Sequence, residues 1–133
     1  MRPLITAIIA VATVTAITVA APAREKLAPE AQLAKLLEGR VAGKARACIS
    51  LSAVTSSRVI DKTAIIYRIG STLWVNRPKN ADSLDEDDVL VTKTTTSQLC
   101  SIDTVELHDR GTHMYNGFVS LGEFTPYRRA ESN

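Results

Sequence analysis

The sequence predicts a small α+β domain, rich in β, with an antiparallel sheet of about five or six strands and one short N-terminal helix docked on it. Three observations carry this expectation. From Cys48 onward, apolar and polar residues alternate in short runs broken by turn residues. Ahead of them, Leu33, Leu36 and Leu37 form one narrow apolar stripe at helical spacing. The chain has 133 residues, and its first segment reads as a leader, which leaves room for a single domain.

Residues 1–23 carry the marks of a secretory signal peptide. Arg2 supplies the positive start, residues 4–19 form an uncharged run, and Ala21-Pro22-Ala23 is a small-x-small cleavage site. Cleavage is expected after Ala23, because cleavage after Ala21 would leave Pro22 behind the scissile bond. The rival reading is a retained anchor, since the apolar run reaches about 20 residues, the length that spans a bilayer. Export with cleavage fits the A-x-A site better and predicts a periplasmic or secreted protein without a stable membrane anchor. Arg2 is the one charged residue of the leader, so its removal takes the net charge from +2 to +1. A near-neutral chain of this kind is a poor nucleic-acid binder, because such binding rests on neutralising phosphates.

Residues 24–46 read as an arm. Pro29 suits the first turn of a helix, Glu30 favours the same end, and Gly39 is a plausible stop. A helix of about ten residues does not stand alone in water, so it must dock. Residues 43–47 read as a connector. The β-rich domain is expected over residues 47–127. Ile49 and Leu51 alternate with Ser50 and Ser52, residues 58–60 begin a second strand, and Asp61-Lys62 offers a turn. Residues 63–69 give the strongest strand pattern, and Gly70-Ser71 matches a two-residue hairpin turn into residues 72–76. Pro78 ends that strand, having no donor for the ladder. Residues 80–88 form a polar loop, residues 89–92 and 99–107 read as strands, and residues 118–121 as a last one. Residues 128–133 are left as a C-terminal tail, frayed from Tyr127-Arg128-Arg129 onward.

Export bears on Cys48 and Cys100, the only two cysteines. In an oxidising compartment a disulfide is the simplest reading, closing a loop worth about 4 kcal/mol of unfolded-state entropy. The rivals are a buried thiol pair and a metal site. Zinc needs three or four ligands, but the chain has two histidines and no C-x-x-C pair.

Each candidate for chemistry has a plainer counterpart. The acidic run Asp82, Asp85, Glu86, Asp87 and Asp88 lacks the ligand spacing and glycine of a calcium loop, so it reads as a solvated loop that also guards a sheet edge. Thr94, Thr95, Thr96 and Ser97 offer hydroxyls without a nucleophile motif around them. His108 or His113, with a nearby carboxylate, could serve as an acid–base pair. Arg58, Asp61 and Asp103 read as an ion pair within the sheet that stabilises a turn, with a clamp for a carboxylate or phosphate as the functional alternative. Trp74, Tyr67, Phe118 and Phe124 are expected in the core. No catalytic residue, cofactor or metal ligand is assigned.

Four short stretches together resemble a known family. They are Cys48-Ile49-Ser50-Leu51, Arg58-Val59-Ile60-Asp61, Gln98-Leu99-Cys100-Ser101-Ile102-Asp103 and Leu121-Gly122-Glu123-Phe124. In combination they resemble a domain-of-unknown-function family of small exported proteobacterial proteins. The resemblance covers about residues 48–124 and implies a periplasmic or secreted domain without established activity. Members of that family often carry a second cysteine pair. The corresponding places here hold Ala81 and Val119, which fits a Cys48–Cys100 bond standing alone and weakens any inherited metal or redox role.

The expected function is therefore a non-enzymatic binding or structural module of the cell envelope, whose partner is an unknown envelope protein or ligand. The alternatives are a small hydrolase or lyase using His108 or His113, and a ligand-binding domain with a pocket between helix and sheet. A histidine–carboxylate cleft would favour the first alternative. An exposed apolar sheet face would favour a partner site.

Overall fold

The computed structural model describes residues 11–131. The start of the expected leader, residues 1–10, lies outside the described residues, and residues 11–28 hold no helix or strand. No helix among the described residues is long and apolar enough to cross a membrane.

The one α-helix among the described residues, α1 (Pro29–Leu36), begins on Pro29, carries Glu30 in its first turn and ends ahead of Gly39, which takes a left-handed φ of 72°. Leu33 is its buried anchor, with Leu36 and Leu37 beside it. Ten strands follow among the described residues: β1 (Arg40–Ala42), β2 (Cys48–Ser50), β3 (Ser56–Ile60), β4 (Ala64–Ile69), β5 (Thr72–Asn76), β6 (Asp88–Thr92), β7 (Gln98–Cys100), β8 (Thr104–Asp109), β9 (Tyr115–Ser120) and β10 (Phe124–Arg129). Single 3₁₀ turns occupy Leu51–Ala53 and Ala81–Ser83.

The strands form three antiparallel sheets instead of the single sheet expected. The main sheet has five strands in the order β1-β10-β5-β4-β3; β2 pairs with β7, and β8 lies between β6 and β9. The main sheet is apolar on both faces. Ile60, Ala64, Ile66, Leu73 and Val75 meet α1 on one side. Val59, Ile65, Tyr67, Trp74 and Phe124 meet the inner residues of the smaller sheets on the other, among them Ile49, Leu99, Val105, Leu107 and Val119. The protein is thus mostly β: a helix over a sheet, and that sheet over a second β layer.

Two expectations fail at the ends of the main sheet. The arm and tail are not accessories, because β1 lies in residues 24–46 and pairs with β10, Arg40 opposite Arg129 and Val41 opposite Arg128. The connector also pairs, with Arg46 bridging Phe124. Pro126 hides β10 from a sequence reading, since proline is rarely found in a central strand. Its carbonyl accepts the Gly43 N–H at 2.7 Å. A residue's N–H and C=O point to the same side of an antiparallel strand. The missing donor therefore faces the ragged end of β1 and leaves the ladder to β5 intact.

Residues 99–107 also form two strands where one was expected. Asp103 accepts the Cys100 N–H at 2.7 Å through its carboxylate, and its own N–H donates to the Cys100 carbonyl at 2.9 Å. This paired bond folds Ser101 and Ile102 into a turn between β7 and β8.

Tyr67 is buried in the core, edge-on to Phe124 with ring centres 5.9 Å apart, and its hydroxyl has no hydrogen-bond partner among the described residues. Burial pushes its phenol well above the usual tyrosine range. Tyr67→Phe removes an unpaired polar group and should stabilise the fold by up to about 1 kcal/mol in urea unfolding. A loss of stability of that size would reveal a partner for the hydroxyl.

Candidate functional site

The three-stranded sheet turns Leu90, Val105, Leu107 and Val119 inward and leaves its other face open. Alternation along β6 and β8 puts Val89, Val91, Glu106 and His108 on that open face, where Val89 pairs with His108 and Val91 with Glu106. On β9, Phe118 pairs with Glu106 and Tyr115 with His108. Simple alternation would place Phe118 and Tyr115 on opposite faces, because they are three residues apart. A bulge resolves this: a step from Glu106 to His108 on β8 matches the longer step from Phe118 to Tyr115 on β9. Gly117 absorbs the bulge with φ 108°, a region closed to side-chain-bearing residues. Both aromatic rings thereby share the open face. Phe118 is 49% exposed, Tyr115 59% and Val89 37%.

A charged row crosses the centre of this apolar patch. Lys93 donates to Glu106 Oε1 at 2.7 Å, and Glu106 Oε2 accepts from His108 Nε2 at 3.1 Å. The other ring nitrogen, Nδ1, lies 3.3 Å from the His113 carbonyl, and the ring meets Tyr115 edge-on at 5.8 Å. Both neighbours of the ring are acceptors, so only the imidazolium can donate to both. His113 contributes its backbone and not its side chain, in a left-handed turn with φ 60°. That turn is held by Asp109 Oδ1, which accepts from the Gly111 N–H, the Thr112 N–H and the Thr112 hydroxyl.

The bond from Lys93, and then that from His108, holds the Glu106 carboxyl below the ordinary carboxylate range. Backbone and side-chain bonds from Thr112 do the same for Asp109. A depressed folded-state pKa stabilises the fold above the unfolded value and loses that contribution as pH falls through the folded one. Carboxyl-carbon NMR should therefore find both groups titrating below free Glu and Asp. Lys93→Met should move Glu106 back up and leave Asp109 in place; a joint shift, or none, would contradict the assignment of causes.

The other sequence candidates are scattered. Cys48 and Cys100 are direct partners across β2 and β7 and are joined by a disulfide. Asp103 serves the turn beside that bond. Arg58 stands exposed on β3, where it lines a groove of about 450 Å³ between the outer edges of β3 and β6, with Arg110 also in its wall. Asp61 sits in the turn after β3, its carbonyl accepting from the Thr63 hydroxyl. Among the described residues, Arg58, Asp61 and Asp103 make no ion pair. Neither an ion pair nor a clamp is assembled from these three residues, while Asp103 does stabilise a turn. In the acidic run, Asp88 is buried and accepts from the Asp85 N–H and the Asn116 side chain, while Glu86 meets Lys26 of the arm. Trp74, Tyr67 and Phe124 lie in the core as expected, but Phe118 does not. The Gly117 bulge decides its neighbours, and a lone glycine beside an aromatic was the only sequence signal for it.

Together these features define a disulfide-linked, mostly-β domain whose distinctive surface is an open sheet face. Comparison with protein-family models, with curated proteins and with solved structures returns no match.

Proposed function

We propose that the protein is an exported, non-enzymatic binding module, and that a partner protein docks on the outer face of β6, β8 and β9. The observation that carries this reading is the placement of Val89, Val91, Phe118 and Tyr115 on one exposed face around a charged row. Protein interfaces concentrate aromatic anchors in this way, with charged groups setting register. The disulfide fits passage through an oxidising compartment, as does the resemblance to small exported proteobacterial proteins. Ala81 and Val119, where that family often has a further cysteine pair, both pack on the same core.

The hydrolase reading has the Glu106–His108 contact in its favour. The ring nitrogens, however, are turned to a carboxylate and a backbone carbonyl, and the group lies on an open face. A pocket between helix and sheet exists beside Leu36, Ile66 and Leu73, at about 130 Å³. Ligand sites are usually about 300 Å³ or more, which this one does not reach; the hollow of about 500 Å³ at Leu27, Gln32, Lys35, Leu36 and Arg58 is walled mainly by exposed side chains and lies at the surface.

Photo-crosslinking in the native envelope tests the proposal. A crosslinker placed at Tyr115 should capture one reproducible protein, and Phe118→Glu should cut that capture about tenfold, the effect of losing one interface anchor. Undiminished capture in the folded variant would move the partner off this face.

A further inference from the structure

We infer that the end of the main sheet beside the Gly70-Ser71 turn is an anion site, formed by Arg40, Arg68 and Arg129 and suited to a phosphate group. Arg40 and Arg129 are direct partners across β1 and β10. Like charges in such positions oppose strand pairing. Arg40 Nη1 donates to the Ser71 carbonyl at 2.7 Å and the Tyr127 carbonyl at 3.2 Å. These bonds fix the guanidinium at the turn and leave its Nε and Nη2 free to donate elsewhere. Arg68 lies in β4 just before that turn, paired with Leu73 on the helix side of the sheet. Among the described residues none of the three arginines has a carboxylate within ion-pair distance. Burial, then Arg129 and Arg68, lower the pKa of Arg40, as mutual repulsion requires.

A hollow of about 430 Å³ opens on Arg40 and Arg129, walled by Leu36, Glu38, Gly39 and Ala130. Two negative features face it. Glu38 contributes one charge, and the end of α1 contributes about half of one. They under-compensate Arg40 and Arg129, and Arg68 adds a third guanidinium from the wall of the neighbouring hollow, which shares Leu36. A guanidinium presents paired donors that match phosphate oxygens, and a phosphate dianion supplies the charge that a single carboxylate lacks. The hollow is larger than a bare phosphate needs, so a phosphate carried on a lipid headgroup and free phosphate are both chemically suitable.

Two probes separate these sources using the full chain. Inorganic phosphate is titrated at low ionic strength while the arginine Nε–H signals are followed by NMR. Vesicles of phosphatidylcholine, with and without phosphatidylglycerol, are tested by co-sedimentation. Saturable shifts confined to Arg40, Arg68 and Arg129 are expected. The exposed double variant Arg68→Gln/Arg129→Gln should bind at least tenfold more weakly, whereas Arg128→Gln, on the other face of β10, should bind normally. Relief of repulsion should also raise the melting temperature of the unliganded double variant, which shows that it folds. Co-sedimentation that requires phosphatidylglycerol and is lost in the double variant identifies a headgroup; phosphate binding alone identifies the free ion. Shifts spread evenly over Arg24, Arg58 and Arg110, binding unchanged in the double variant, or no binding of either probe would overturn the inference.

Discussion

Replacing Cys48 and Cys100 together with alanine is expected to lower the melting temperature by about 15–30 °C. The bond spans a sequence separation of 52 residues. On the chain-entropy account a loop of this length restrains the unfolded chain by about 4 kcal/mol. In a domain of about 100 residues each kcal/mol moves the midpoint by roughly 4–8 °C. The local effect should be sharper than the global one. β2 and β7 pair only with each other, over three residues each, yet they deliver Ile49 and Leu99 to the core. Without the bond this small ribbon should open first, so the amides of Ile49 and Leu99 should lose hydrogen-exchange protection before those of β4 and β5. Reduced wild-type protein should behave like the double variant. Unfolding midpoints that coincide for oxidised and reduced protein would show that β2 and β7 are held by packing alone.

Gly122→Ala should destabilise the domain by about 3 kcal/mol, for a reason that involves Asn76. A Cβ at position 122 would stand 2.6 Å from the Arg77 carbonyl oxygen, which belongs to the backbone and cannot swing away. The close approach exists because Asn76, fully buried at the end of β5, imitates a strand. Its amide donates to the Gly122 carbonyl at 2.7 Å and accepts the Gly122 N–H at 3.0 Å. Asn76→Ala would leave both backbone groups unpaired in the interior, at about 1–3 kcal/mol each. The two substitutions break one unit, so the double variant should cost less than the sum of the single ones, with a coupling of about 1–2 kcal/mol in urea unfolding. Strict additivity would mean that the two residues act independently.

These two results bear on what a sequence reading can reach. The pairing of Cys48 with Cys100 was legible because a chain with two cysteines, read as carrying a leader, has one simple arrangement. The strands β3 to β6 were legible because their alternation and the Gly70-Ser71 turn are local. β10 was not, because Pro126 argues against a strand unless one knows that the neighbour β1 ends beside it. Gly122 and Asn76 appeared as a glycine in a motif and a polar strand end; their reciprocal bonds depend on a contact 46 residues apart. The stretches that suggested a family include several structural parts: a disulfide, the Asp103 turn and the Gly122 approach. The open face was illegible for a similar reason, since one bulge at Gly117 sets which side Tyr115 takes. The arginine cluster comes from three distant segments brought together by the order β1-β10-β5-β4.

The place of β10 has a consequence for how the chain acquires its structure. This strand follows all the others in sequence, yet it sits inside the main sheet, between β1 and β5. Neither neighbour can complete its ladder until the last strand has left the ribosome. Pairing across so much sequence is slow, because loop closure precedes the contacts that reward it. The facing edges of β1 and β5 therefore stay unpaired until residues 124–129 have been made, while β3, β4 and β5 can already pair with one another. The main sheet then closes around β10 once that strand is available.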